Sequence, residues 1–192
     1  MLRGKRVIVR PILDEDLPVL GAWCADPAKA VGDYQRFQME LGRELAGLYG
    51  QNGLIARESG FLIIQLLEDQ KPIGLVRYTS SSFPDPDLPG VDVGFAIAEL
   101  AYRGKGYAAE ALTLLLDYLF AGYPLERVSA YTDKENVPSR RLLERLSFVC
   151  EGMMRQVTFH HGAWHDLCIY GILRNEWTEI NKSRDEDQHP SE

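Results

Sequence analysis

Six consecutive residues, Arg103-Gly104-Lys105-Gly106-Tyr107-Ala108, place two glycines and two cations directly ahead of an apolar stretch with helical spacing. That combination suits an anion. Glycine lets the backbone turn without a β-carbon in the way, so successive N–H groups at the start of a helix converge on a phosphate. The helix dipole adds about half a positive charge at that end, and Arg103 and Lys105 add two full ones. A ligand bearing a diphosphate is the natural guest.

Three other readings of the turn compete. The P-loop pattern G-x-x-x-x-G-K-[ST] is absent, because no Gly-Lys pair here precedes Ser or Thr. Gly104-x-Gly106-x-x-Ala109 does satisfy the dinucleotide pattern G-x-G-x-x-A, with Asp133 after the next strand as a ribose-binding acid, so an NAD-dependent oxidoreductase is the alternative. Spacing argues against it: Glu99 to Arg103 separate the apolar strand from the first glycine, which in a dinucleotide fold follows almost at once. A solvated turn without a ligand is the third reading.

The elements around the turn follow from periodicity. Lys5 to Pro11 reads as a strand, and Asp14-Glu15-Asp16-Leu17 opens a helix running to about Cys24. Arg36 to Tyr49 spaces Phe37, Leu41, Leu45 and Leu48 as a helix, ended by Gln51-Asn52-Gly53. Gly60 to Leu67 and Pro72 to Thr79 form a hairpin, Ser80 to Gly90 is a proline-rich loop, and Val91 to Ala98 is the next strand. Gly104 to Phe120 is a helix apolar around most of its circumference, hence buried. Arg127 to Thr132 is a strand reached by a parallel crossover, Asn136 to Leu146 is a helix with Pro138 in its first turn, and Cys150 to Phe159 pairs with Trp164 to Leu173 around a His160-His161-Gly162-Ala163 turn. The expected fold is α/β (α+β), a mixed, mostly antiparallel sheet of about seven strands with helices on both faces.

At 192 residues and 45% apolar composition, a single domain over 1–180 accounts for the chain. Residues 181–192 hold no apolar side chain and read as a polar, flexible tail. The tail carries a net −2 of the total −7, leaving an acidic body that disfavours nucleic acid and favours a cationic amine. No stretch has the length of a membrane span, and the N-terminus has no signal-peptide core, so a membrane is not expected as a partner and the expected location is the cytoplasm. Cys24, Cys150 and Cys168, an odd number without C-x-x-C spacing, fit reduced thiols. Composition leaves a homodimer open.

Arg103-Gly104-Lys105-Gly106-Tyr107-Ala108 resembles the Q/R-x-x-G-x-G/A acetyl-coenzyme A signature of the GNAT N-acetyltransferase superfamily, and other segments agree in order. Val7 to Pro11 with Asp14 to Leu17 resembles the opening of its ribosomal-protein (Rim-type) N-terminal acetyltransferase branch. Asp92-Val93-Gly94-Phe95 resembles its fourth strand. Asn136-x-x-Ser139-Arg140, Leu142-Leu143-Glu144, Phe148 and Glu151-Gly152 resemble the next helix and strand, and Trp164-x-Asp166 through Trp177 the closing segment. The resemblance implies a sheet splayed at its fourth and fifth strands, with acetyl-coenzyme A as cosubstrate and no metal. It implies that Phe95, Ala96, Ile97 and Ala98 bind the pantetheine arm, that Arg103 to Ala108 bind the diphosphate, and that Asn136, Ser139 and Arg140 lie against the coenzyme. The acceptor is a primary amine, either a protein N-terminus or a small cationic amine, attacking the thioester directly without an acyl-enzyme. A module that binds acyl-coenzyme A without turnover is the non-catalytic alternative.

Many relatives carry a tyrosine as general acid seven residues after the asparagine matched to Asn136. This chain has Leu143 there, which moves the acid role to Ser139. Asp92 stands where relatives often hold a glutamate and is the candidate base. The bland alternatives are a serine serving its own helix backbone, an asparagine capping the same helix and a carboxylate held in a salt bridge. His160, His161, His165 and Cys168 read as a hairpin turn rather than a metal site, lacking a matching carboxylate or cysteine pair at zinc spacing. Glu110 suits the helix dipole, Trp23, Trp164 and Trp177 read as core or pocket walls, and Phe83 is a candidate substrate contact.

Overall fold

A computed structural model describes residues 1–29, 40–81 and 90–188, with side chains to 184. Eight strands form one sheet: β1 Leu2–Arg3, β2 Val7–Pro11, β3 Ser59–Leu66, β4 Pro72–Ser81, β5 Gly90–Ile97, β6 Arg127–Asp133, β7 Val149–His160 and β8 Ala163–Leu173. Their order across the sheet is β1-β2-β3-β4-β5-β6-β8-β7, and every neighbouring pair is antiparallel except β5 with β6. The eighth strand, beyond the seven expected, is the two-residue β1, too short to show a period. The helices are α1 Leu17–Cys24, α2 Leu41–Asn52, α3 Tyr107–Gly122, α4 Val137–Arg145 and α5 Arg174–Gln188.

One crossover explains the parallel pair. β5 feeds α3, which crosses the sheet and returns the chain into β6 in the same direction, the usual connection for parallel neighbours. Leu112, Leu115, Leu116 and Leu119 of α3 are fully buried, each stabilising the fold by about 1.5–3 kcal/mol. α3 is therefore pinned along its length. At its far end the Arg174 guanidinium donates to the carbonyls of Phe120, Tyr123 and Leu125, groups that a helix end otherwise leaves without partners.

The core lies in two parts. α3, Leu143 of α4 and Trp177 of α5 cover one face, while α1 and α2 pack on the other against Phe61, Ile63 and Leu75 of β3 and β4. Among the described residues no helix covers that second face over β5, β6, β8 and β7.

Three boundaries differ from the expectation. The second helix starts at Leu41, with Glu40 as its N-cap, and runs to Asn52, while 30–39, with Phe37, lie outside the described residues. Ser80 and Ser81 extend β4 and Gly90 begins β5, while Phe83 lies outside the described residues. The expected tail from 181 instead continues α5 to Gln188. Asn181 donates to Asp117 of α3, and Arg184 sits 4.8 Å over the Trp177 ring, so polar contacts hold it without apolar residues.

Candidate active site

The glycine turn forms as its sequence requires. A single 3-10 turn over Leu100–Tyr102 follows β5, then Gly104 takes φ +73° and Gly106 φ +84°, left-handed values that side chains rarely adopt. Gly106 is the N-cap of α3. No side chain caps it, and the first intrahelical bond runs from Glu110 N to Gly106 O. The N–H groups of Gly106, Tyr107, Ala108 and Ala109 precede that bond and are free of intrahelical partners. Lys71 and Lys105 place their ammonium groups 5.2 and 5.5 Å from the Tyr102 ring, and Arg6 lies over Tyr107. Cations thus surround amides that have no built-in acceptor.

Arg103 is engaged elsewhere. Its guanidinium donates to the carbonyls of Ile97, Ala28 and Lys29, tying the end of β5 to the segment after α1. Glu99 joins the same anchor by accepting from Trp23 Nε1 and Lys29, and those bonds hold its pKa below the usual carboxylate value. Glu110 is more than a dipole partner. It accepts from the Arg6 and Val7 N–H groups and the Arg6 guanidinium; burial pushes its pKa up, but these bonds prevail and lower it.

Beside the turn the sheet opens. β5 pairs with β6 only through Val91, Asp92 and Val93, opposite Val128, Ser129 and Ala130. Phe95, Ala96 and Ile97 pair with β4 alone, and Ala98 closes the segment by donating to Ile73 O. Across the gap, Asn136 caps α4 by accepting the Ser139 N–H at 3.2 Å. The Ser139 hydroxyl makes no hydrogen bond among the described residues, so its helix backbone does not consume it. Arg140 donates to the Tyr170 hydroxyl and the Lys134 carbonyl. Leu143 faces the core, fully buried.

The side of the opening away from α3 is polar. Residues paired across a sheet share a face, so Asp92 lies beside Ser129, and strand alternation adds Arg127, Tyr131 and Asp133. Burial pushes the Asp92 pKa up, against a hydrogen bond from Ser81 and the charges of Arg77 and Arg127. Burial, then the Asp92 charge, also raises Tyr131. Arg127 pairs with Glu151 at 2.6 Å above Gly171, where a β-carbon would come within 2.6 Å of Glu151 and 2.8 Å of Arg127. Tyr131, Arg127 and Glu151 escaped the sequence reading because only strand register brings them to Asp92.

Asp133 is not a ribose acid. It is buried, accepts the Glu135 N–H, and faces His160 Nε2 at 2.7 Å and His165 Nδ1 at 3.3 Å. Of the three histidines only His161 sits at the hairpin tip, with φ +49°. The carboxylate that sequence spacing failed to supply comes from β6, and one ligand atom from each of the three residues falls within 4.8 Å of the others. The His160 and His165 rings stack at 3.8 Å and 16°, each with one nitrogen turned on the Asp133 carboxylate, while His160 Nδ1 and His165 Nε2 are buried with no hydrogen-bond partner among the described residues. Trp23 and Trp177 are core, whereas Trp164 is exposed and meets Phe159 edge to face.

Comparison with known proteins agrees with this geometry. Residues 6–149 match the acetyltransferase (GNAT) domain model. The [ribosomal protein uS5]-alanine N-acetyltransferase of Escherichia coli is 30% identical over 182 residues, covering 92% of each chain. The N-acetyltransferase p20 of Bacillus licheniformis is 28% identical over 178 residues, covering 92% of this chain and 97% of its own. Among solved structures, the spermidine N-acetyltransferase of Vibrio cholerae in complex with CoA and spermine superimposes with a TM-score of 0.78 at 20% identity, covering 91% of this chain and 99% of that one.

Proposed function

Because the chain belongs to the GNAT family of N-acetyltransferases, with acetyl-coenzyme A as cosubstrate, we propose that its acceptor is the α-amine of a protein N-terminus, which attacks the thioester directly in a ternary complex. The observation that carries this reading is the parting of β5 from β6 after Val93, beside an uncapped, glycine-led helix. The amides of Gly104 to Ala108 take the diphosphate, and the open edge from Phe95 to Ala98 takes the pantetheine arm as an added strand would. An N–H of that edge faces the thioester oxygen and stabilises the oxyanion as the amine adds. Ser139, held by the Asn136 cap, donates a hydrogen bond to the departing thiolate, which takes its proton from solvent as the amine gives one up. Asp92 accepts the amine proton from the opposite face, through a water.

The strength of the base selects the acceptor class. A peptide α-amine with pKa about 7.7–8.0 is roughly one-tenth neutral at pH 7, whereas an alkyl amine near 10.4 is neutral to a few parts in ten thousand. A carboxylate such as Asp92 suits the first. The resemblance to the E. coli uS5-alanine enzyme over nearly the whole chain supports the same class. The second reading, a small cationic amine, draws on the acidic body and on the likeness to the V. cholerae spermidine enzyme. No described helix is long and apolar enough to cross a membrane, and we place the protein in the cytoplasm, where nascent N-termini are available.

Thiol release from acetyl-coenzyme A, measured with alanine- and serine-initiated peptides against spermidine and aminoglycosides, tests the assignment. Peptides should dominate. Turnover confined to polyamines would transfer the proposal to the second reading, and tight coenzyme binding without thiol release from any amine would refute catalysis.

A further inference from the structure

We propose that Arg6, 99 residues before Lys105 in sequence, is a positioning residue of the diphosphate site: it grips the glycine turn from behind and aims its amides. The proposal rests on reading that turn as the place where the coenzyme's diphosphate binds.

The contacts of one guanidinium carry it. Arg6 Nε pairs with Glu110 Oε2 at 2.9 Å, and Nη1 donates to the Lys105 carbonyl at 2.9 Å. The guanidinium carbon lies 4.8 Å from the centre of the Tyr107 ring, and Nη2 is 3.2 Å from where a β-carbon on Gly106 would stand. A single planar group thus meets Lys105, Gly106 and Tyr107 together with the first-turn acid Glu110. Glu110 is itself fixed to the start of β2 through the Arg6 and Val7 N–H groups, so the clamp is anchored in the sheet.

The turn requires such a hold. Gly104 and Gly106 supply the left-handed conformation but no rigidity, and no side chain caps α3. The Lys105 carbonyl and the Gly106 N–H belong to one trans peptide plane and point in opposite directions. Pinning the oxygen toward Arg6 therefore turns the N–H away from Arg6, and a turn already ordered loses less entropy when the anion arrives. Only arginine satisfies the geometry. Lysine keeps the charge but presents one point donor, which cannot serve Glu110 and the carbonyl while lying flat on Tyr107. Arg6 escaped the sequence reading because it lies outside the motif and looks like one of several N-terminal cations.

Two donors separate this role from a general contribution to folding: acetyl-coenzyme A, and S-acetylpantetheine, which lacks the diphosphate. With Arg6→Ala, kcat/KM for acetyl-coenzyme A should fall about tenfold through KM, the loss expected when one charge-assisted bond no longer holds the loop. Coenzyme A affinity by calorimetry should fall in parallel. Activity with S-acetylpantetheine should stay within about twofold of the parent, and Arg6→Lys should recover little of the loss. Equal losses with both donors, no loss with either, or full recovery by lysine would overturn the role of Arg6. A parent protein that fails to bind coenzyme A would overturn the reading of the turn itself.

Discussion

Replacing Gly106 with alanine isolates the backbone contribution to the proposed diphosphate site. Gly106 holds φ 84° and ψ 1° as the residue that starts α3, and an L-residue in that conformation costs about 1–2 kcal/mol. The new β-carbon meets one heavy atom within contact range, Arg6 Nη2 at 3.2 Å, and a side-chain tip can yield. Strain, not collision, therefore decides the outcome. Without ligand the turn can relieve the strain by unwinding ahead of Glu110, since α3 stays fixed by its buried leucines. With ligand it must hold the left-handed form. The cost then appears as lost affinity, about 5- to 30-fold for coenzyme A. Gly104→Ala, at φ 73° with open space around it, carries the backbone cost without the contact and should lose affinity by no more than Gly106→Ala. Calorimetry gives the affinities and a thermal melt gives the fold. If Gly106→Ala keeps parental affinity while its melting temperature drops by about 2–4 °C per kcal/mol of strain, the fold has absorbed the cost and the reasoning fails.

Other substitutions probe the remaining parts. Asp92→Asn should lower kcat by about 10²- to 10⁴-fold and abolish the acid limb of the pH–rate profile, a limb that in the parent lies above the ordinary aspartate range because burial raises Asp92; an unchanged profile removes it as base. Ser139→Ala should slow thiol release more than it weakens coenzyme binding, and equal effects on both would reduce Ser139 to a binding contact. Asp16→Asn strands the buried Arg10 guanidinium, which Asp16 holds at 2.5 and 2.9 Å, and should cost about 3–5 kcal/mol in urea unfolding at pH 7. Burial alone would raise the Asp16 pKa, but bonds from Arg10 and the Leu13 N–H bring it below the unfolded value. Its contribution is therefore present above about pH 3.9 and lost as pH falls through the folded value, so the parent should lose more stability on acidification than Asp16→Asn. Arg174→Ala leaves the three α3 and post-α3 carbonyls without their donor and should destabilise by about 2–4 kcal/mol, measurable in the same unfolding experiment.

Local signals made the scaffold legible. Glycine at φ > 0, proline in the first turn of α4 and alternating strands are each decided within a few residues, so the turn, the start of α4 near Asn136 and the position of the seven longer strands along the chain could be read directly. Contacts between distant segments were not legible. Asp133 had an acceptable ribose-binding position in one dimension, but strand pairing with β8 and the hairpin fold place His165 and His160 on its carboxylate. Arg103 counted as a free charge for the anion until the carbonyls of residues 28 and 29 claimed it. The last turns of α5 have no apolar residue, and Asp117, 64 positions from Asn181, supplies the contact that composition cannot show.

Strand periodicity also bears on the direct transfer proposed for this site. Along β5, Phe95 and Ile97 pack toward the core beneath α3, while Asp92 shares the opposite face with Ser129 and Tyr131. In the proposed function the glycine turn and the α4 cap serve the side given to the coenzyme, and the Asp92 carboxylate and Tyr131 phenol the side given to the amine. Where β5 and β6 remain paired, the sheet separates the two sides. Beyond Val93 and Ala130 that barrier is gone, and under the proposed function a thioester entering from one side would meet an amine entering from the other. No described side chain needs to carry the acetyl group across, since the opening already brings donor and acceptor within reach. A one-residue shift of β5 would move Asp92 to the face that carries α3, so the proposed route depends on the register of β5 against β4, continuous from Gly90 to Ile97.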